Sequence, residues 1–142
     1  AGAAIGSVYV GGGDFLFHDR RIPLPKFDEF GVGRIPAIAD EPIRVALGAE
    51  SGIISTGDSF APTAEEQAFF KNERVTCKEM EAASLASLSR DLGIRFLAVK
   101  AVTDLVDHPE PEASAFARNL TRVSEILEDR LVKLLSDMKV RE

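Results

Sequence analysis

Apolar positions along this chain follow two rhythms, short β-rich runs and longer stretches with three-and-four spacing. The clearest run is residues 94–107, whose first half is apolar and β-branched and predicts a buried strand. That run stops at Thr103-Asp104, with a second acid at Asp107. Residues 5–10 are strand-like, because Val8, Tyr9 and Val10 are good strand formers. Gly11-Gly12-Gly13 then predicts a turn or bulge. No Gly-Lys-Ser/Thr follows and GxGxxG is absent, which argues against a phosphate loop. Phe15, Phe17 and Ile22 predict a second short extended segment. Residues 23–33, punctuated by proline and glycine, read as a loop.

Pro42 fits the first turn of a short helix that runs through Leu47 and ends at Gly48. Residues 53–56 form a short buried strand closed by Gly57-Asp58-Ser59-Phe60, and residues 64–72 a helix with Phe69 and Phe70 turned inward. Residues 75–78 lead through Glu79-Met80-Glu81 into a helix over residues 82–92, rich enough in Ala and Ser to pack closely on a sheet. Leu85, Leu88 and Leu92 share one face of it, and Gly93 is placed to end it. After the turn His108-Pro109-Glu110-Pro111, apolar residues at Phe116, Leu120, Val123, Leu127, Leu131, Leu134 and Met138 predict one amphipathic helix from Pro111 to about Val140. Strands followed by helices, with polar residues at strand ends, indicate an α/β domain.

Composition narrows the function classes. The chain has 142 residues, 45% hydrophobic and 28% charged, which is one ordinary domain with a real core. A net charge of −6 argues against a phosphate-backbone binder, which needs a basic footprint. The single cysteine, Cys77, cannot form an intrachain disulfide. Two histidines and one cysteine, far apart, give no metal-ligand spacing. The apolar runs are too short to span a membrane, and the opening residues show no secretory signal pattern. The opening Ala1-Gly2-Ala3-Ala4, with no initiator methionine, suggests part of a longer protein.

Three groups of residues carry candidate chemistry. Asp104 stands where a strand ends, the place where open α/β sheets bind ligands, although a turn or cap aspartate is the plainer reading. Glu79 and Glu81 lie where a helix dipole favours carboxylates. At i and i+2 they do not share a helix face, so at most one of them points at a given ligand. His18 beside Asp19 is better read as a structural or interface residue than as an acid–base pair, since neighbours on a strand face opposite ways. Phe27 and Phe30 in the proline-rich loop pack either under the loop or at a subunit interface.

Three motifs, in order and in register, carry a resemblance that covers essentially the whole chain. They are Ser55-Thr56-Gly57-Asp58-Ser59-Phe60, Lys78-Glu79-Met80-Glu81-Ala82-Ala83 and Val99-Lys100-Ala101-Val102-Thr103-Asp104-Leu105-Val106-Asp107. They resemble the later motifs of the nucleoside phosphorylase superfamily, and most closely the 5′-methylthioadenosine/S-adenosylhomocysteine nucleosidases of the plant-type branch. Phe17-His18-Asp19-Arg20-Arg21-Ile22-Pro23 strengthens the assignment to that branch. The resemblance implies a three-layer α/β/α nucleoside phosphorylase-like domain with a mixed central sheet, of which residues 1–142 are the later part. It implies hydrolysis of an N-glycosidic bond with release of adenine. Asp104 would protonate adenine at N7, Glu81 would hold the ribose hydroxyls, Met80 would pack on the sugar and Phe60 would stack on the base. Glu79 falls where the family carries an acid near the site. The implied partners are a small nucleoside substrate and a second subunit, with Phe27 and Phe30 near the homodimer interface. No cofactor, metal, nucleic acid or membrane is implied, and the setting is cytoplasmic. The family domain is longer, and its earlier part, which carries the water-activating glutamate, has no counterpart here. A phosphate-dependent purine nucleoside phosphorylase and a non-catalytic nucleoside-binding or dimerising relative are the alternative readings.

Overall fold

The computed structural model describes residues 3–20, 22–38 and 40–139. In chain order the elements are β1 (Val8–Phe17), α1 (Asp28–Val32), β2 (Ile35–Pro36), α2 (Glu41–Leu47), β3 (Glu50–Thr56), α3 (Ala64–Asn72), β4 (Val75–Glu79), α4 (Ala82–Asp91), β5 (Val99–Ala101) and α5 (Glu112–Lys139). They gather into two compact units, one from the described parts of Ala1–Val10, Asp40–Glu50 and Val99–Glu142, the other from those of Gly11–Ala39 and Ser51–Ala98.

In the first unit, the opening residues of β1 pair antiparallel with β5, Val8 against Ala101 and Val10 against Val99. Backbone bonds from Gly6 N–H to Val102 O and from Val102 N–H to Ser7 O continue that ladder beyond both strands. The 28-residue α5 packs on β5 and on α2. Ala115, Asn119, Val123 and Leu134 form its buried stripe. Asp40 caps α2 by accepting the Ile43 N–H at 3.1 Å. Arg130 of α5 donates to the carbonyls of Leu47 and Gly48, both at 2.6 Å, and so covers the other end of α2.

In the second unit the strand order is β2-β1-β3-β4. β2 lies antiparallel to β1, and β4 parallel to β3, so the sheet is mixed. The α3 helix packs against β4. It starts with a reciprocal cap, in which Thr63 Oγ1 accepts the Glu66 N–H at 3.2 Å and Glu66 Oε2 accepts the Thr63 N–H at 2.8 Å. Phe15, Leu16, Ile54, Cys77, Ala82, Ala83 and Ala86 are buried here, and the Phe15 and Phe96 rings meet at 5.5 Å.

Several expectations need correction. The glycine run is not a turn: β1 passes straight through it and takes in the second extended segment as far as Phe17. The reason is close approach. A Cβ on Gly12 would fall 1.8 Å from Ser51 Oγ, and one on Gly13 2.8 Å from Ile53 Cγ1, so β3 side chains occupy the space that β1 leaves. The loop at residues 23–33 contains the short helix α1. The long strand expected before Thr103 shrinks to β5, whose three residues are all half-buried. On α4 the alanines Ala82, Ala83 and Ala86 face inward, while Leu85, Leu88 and Leu92, with their shared face, are 49%, 56% and 63% exposed. On α5, Leu120 and Met138 are exposed as well. That helix begins at Glu112, and Val140 lies outside the described residues. The helices at residues 42–47 and 64–72 are found as expected.

The β3–β4 pairing shifts register between Ile53 and Ile54, leaving Thr76 as the extra residue on β4. Buried Gly52 faces it. A Cβ there would meet Thr76 Cβ at 2.8 Å, Oγ1 at 2.9 Å and Cγ2 at 3.0 Å, and a β-branched side chain has little room to yield. Gly52→Ala is therefore expected to destabilise the fold by about 1–3 kcal/mol. Urea unfolding measures this, and an unchanged midpoint would show that the bulge absorbs the methyl.

Candidate active site

In the second unit, β1, β3 and β4 end beside one another and share backbone bonds past their last residues. The His18 N–H donates to Thr56 O and the Gly57 N–H to Glu79 O, both at 3.1 Å. Three of the motif segments leave the sheet at these ends.

Glu79 is the last residue of β4 rather than part of the following helix. Its carboxylate accepts the N–H of Ala82 at 2.8 and 3.0 Å and that of Glu81 at 3.1 Å, which caps α4 from outside the helix. It also accepts the Thr56 hydroxyl hydrogen. Thr56 Oγ1 in turn accepts the Ala83 N–H at 2.8 Å. One carboxylate and one hydroxyl thus bind the start of α4 to the ends of two strands. The Met80 and Glu81 side chains are left on the exposed surface. The two acids part company because Glu79 ends β4 and Glu81 precedes α4, not because they stand on different faces of one helix.

Phe60 is 42% exposed. Its turn is tethered by Lys78, whose ammonium donates to the carbonyls of Ser59 and Phe60, both at 2.6 Å, and stands 5.9 Å from the Phe60 ring centroid. Sequence reasoning gave no part to Lys78 or Thr56, although both sit inside the motifs. Their polar atoms beside Glu79 and Phe60 were the available signal.

His18 and Asp19 do not form a dyad. Asp19 accepts the Asp58 N–H at 2.5 Å. His18 is 8% exposed, with Nδ1 3.0 Å from Ser55 Oγ and its ring edge-on to Phe70 at 4.9 Å. Nε2 faces Gly57, where an added Cβ would come within 2.1 Å, and it has no hydrogen-bond partner in the structure. Phe27 and Phe30 are 42% and 59% exposed and contact each other at 6.2 Å, while Arg20 lies over the rings of Phe17 and Phe30.

Asp104 belongs to the first unit, so Phe60, Glu79, Met80 and Glu81 lie in one unit and the expected acid in the other. It is half-buried just beyond β5, and its Oδ2 accepts the Thr103 hydroxyl at 2.7 Å. The deep burial expected from a long apolar strand is not supplied by three half-buried residues. Among the described residues no group of three or more His, Cys, Asp or Glu could hold a metal ion, and no helix is long and apolar enough to cross a membrane.

The second unit is thus a mixed sheet with a carboxylate at the end of β4 and an exposed aromatic at a tethered turn. Residues 3–136 match the phosphorylase superfamily, and the chain belongs to it. It is 39% identical over 135 residues to a 5′-methylthioadenosine nucleosidase of Arabidopsis thaliana, covering 95% of this chain and 50% of that protein. A 5′-methylthioadenosine/S-adenosylhomocysteine nucleosidase of the same plant is 34% identical, over 94% of this chain and 52% of its own. The apo structure of the first type from Arabidopsis thaliana superposes with a TM-score of 0.88, covering 95% of this chain and 55% of that one. A crystal structure of an MTA/SAH nucleosidase, 33% identical, gives 0.90 over 97% and 56%. The chain spans about half the length of the curated relatives it matches.

Burial pushes the His18 imidazole below the usual histidine range, against the opposing pull of the carboxylates of Asp19, Glu66 and Glu79 and with the Lys78 ammonium adding to the effect. The folded chain thus holds His18 neutral where the unfolded chain would already take a proton. Its contribution to stability is complete above the unfolded value of 6.5 and is lost as pH falls toward the lowered folded value. Unfolding free energy should therefore fall more steeply between about pH 7 and 5 in the natural chain than in His18→Gln, by at most about 1.4 kcal/mol per pH unit. Parallel slopes in denaturant titrations would remove His18 from the acid response.

Proposed function

We propose that the protein to which this chain belongs hydrolyses the N-glycosidic bond of 5′-methylthioadenosine, S-adenosylhomocysteine or both, and releases adenine. The observation that carries this reading is the 39% identity to a plant 5′-methylthioadenosine nucleosidase across 95% of the chain. The geometry at the strand ends supports it.

Breaking a ribosyl C–N bond builds oxocarbenium character on the sugar, and adenine leaves poorly as an anion. An acid must deliver a proton to the base, and Asp104 is assigned that step. Glu81, with an exposed carboxylate at the start of α4, takes the two ribose hydroxyls and sets negative charge near the developing cation. Met80 covers the sugar, and the half-open face of Phe60 stacks on the base. Glu79 acts one step back, since its carboxylate is engaged by the N–H groups that fix Glu81 and Ala82. The exposed pair Phe27 and Phe30 suits a homodimer contact, with residues 27–33 closing the pocket of the neighbouring subunit.

Adenine release from methylthioadenosine, assayed with and without phosphate, tests the reaction. Phosphate-independent release is expected. A strict need for phosphate would make the protein a phosphorylase, and adenine binding without release a non-catalytic relative. Asp104→Asn should leave nucleoside binding largely intact and lower turnover by about 10²–10⁴-fold; unchanged turnover would strip Asp104 of its role. Glu81→Gln should weaken binding of ribosides far more than of free adenine, and an equal loss for both, read by calorimetry, would count against the sugar contact.

A further inference from the structure

The segment carrying Asp104 is fastened at both ends by successive residues of α5. At its start, Asn119 Nδ2 donates to the Thr103 carbonyl at 3.0 Å. At its end, Arg118 grips Glu110 with both guanidinium nitrogens, Nη2 to Oε2 at 2.8 Å. The two anchors differ in character. Arg118 is 57% exposed in its side chain, and an exposed ion pair of this kind contributes little. Asn119 is 9% exposed, in line with Ala115 and Val123 on the buried stripe of α5. A buried amide on an otherwise apolar stripe is costly unless its bond is made, so the bond specifies one position for the carbonyl it holds. That carbonyl belongs to Thr103, whose hydroxyl donates to Asp104 Oδ2 at 2.7 Å. An unbroken sequence of contacts therefore runs from α5 through the Thr103 backbone and hydroxyl to the carboxylate.

We propose that Asn119 is the positioning residue for Asp104. It touches no substrate. It fixes the Thr103 peptide, and with it the direction in which the Asp104 carboxylate faces, so that the acid is held from α5 by a fixed chain of contacts. The proposal rests on the reading of Asp104 as the leaving-group acid.

The test compares two substrates with the same 5′-thioribosyl group. One bears adenine, which must be protonated to leave, and the other bears 4-nitrophenolate, which leaves without a proton. Asn119→Ala is expected to lower kcat on the adenine substrate by about 10–10²-fold with KM little changed, and to leave the nitrophenyl substrate within about threefold. Asn119→Gln, which keeps the amide donor, should recover part of the loss. An equal loss on both substrates would mean that Asn119 only supports the fold, and no loss on either would mean that it positions nothing. Asp104→Asn, run on the same pair, separates the two readings. If it lacks the leaving-group split, the acid assignment fails; if it shows the split and Asn119→Ala does not, this inference alone fails.

A second readout is independent of turnover. The His108 N–H bonds to Leu105 O at 3.2 Å within the same segment. Hydrogen exchange at His108 and its neighbours should rise about tenfold or more in Asn119→Ala, or in Asn119→Ser should the alanine variant not fold, while the amides around Val123 keep their protection. Unchanged exchange in residues 105–110 would overturn the proposal for a chain that releases no adenine.

Discussion

The second unit depends on where the Glu79 carboxylate goes. A helix beginning at Ala82 leaves its first N–H groups without partners, and the N-cap residue Glu81 makes no side-chain cap of its own. Glu79 reaches forward from the end of β4 to supply the acceptor, and Thr56 reaches across from β3 to complete it. Charge-assisted bonds of this kind contribute about 1.5–3 kcal/mol each. Their larger effect is geometric. They set the angle at which the chain leaves the sheet, and that angle decides where Met80 and Glu81 can face. An exposed carboxylate at residue 81 thus goes with an engaged one at residue 79.

This division of labour explains what could be read from the chain and what could not. Local chemistry was legible: Pro42 and Gly48 bracket α2, and the 64–72 helix carries its own cap in Thr63 and Glu66. The motifs could be matched to a family because their identities survive without context. From the residues alone Glu79 and Glu81 satisfy the same dipole rule; the resemblance gave them different roles, and the strand end at residue 79 tells their positions apart.

The misread glycines at 11–13 and the undecided burial of the α4 leucine face have one physical origin. Both stretches were read from what each side chain does alone. In the fold, the glycines matter for what β3 places over them, and the alanines of α4 for how near they let the helix come. Close approach is a property of two surfaces, and one surface read along the sequence does not reveal it. The same holds for β5, where a long apolar run pairs over only three residues.

Lys78 gives the Phe60 turn an unusual chemical handle. A single ammonium holds two successive carbonyls from the neighbouring strand, so the ring's place depends on a primary amine that is not in the turn itself. Acylation of that amine would abolish its charge and free both carbonyls at once, while the capped start of α4 and the sheet beneath it would keep their own bonds. The aromatic face is in this sense separable from its scaffold: a lysine-directed reagent would loosen the Phe60 turn and leave the capped start of α4 standing.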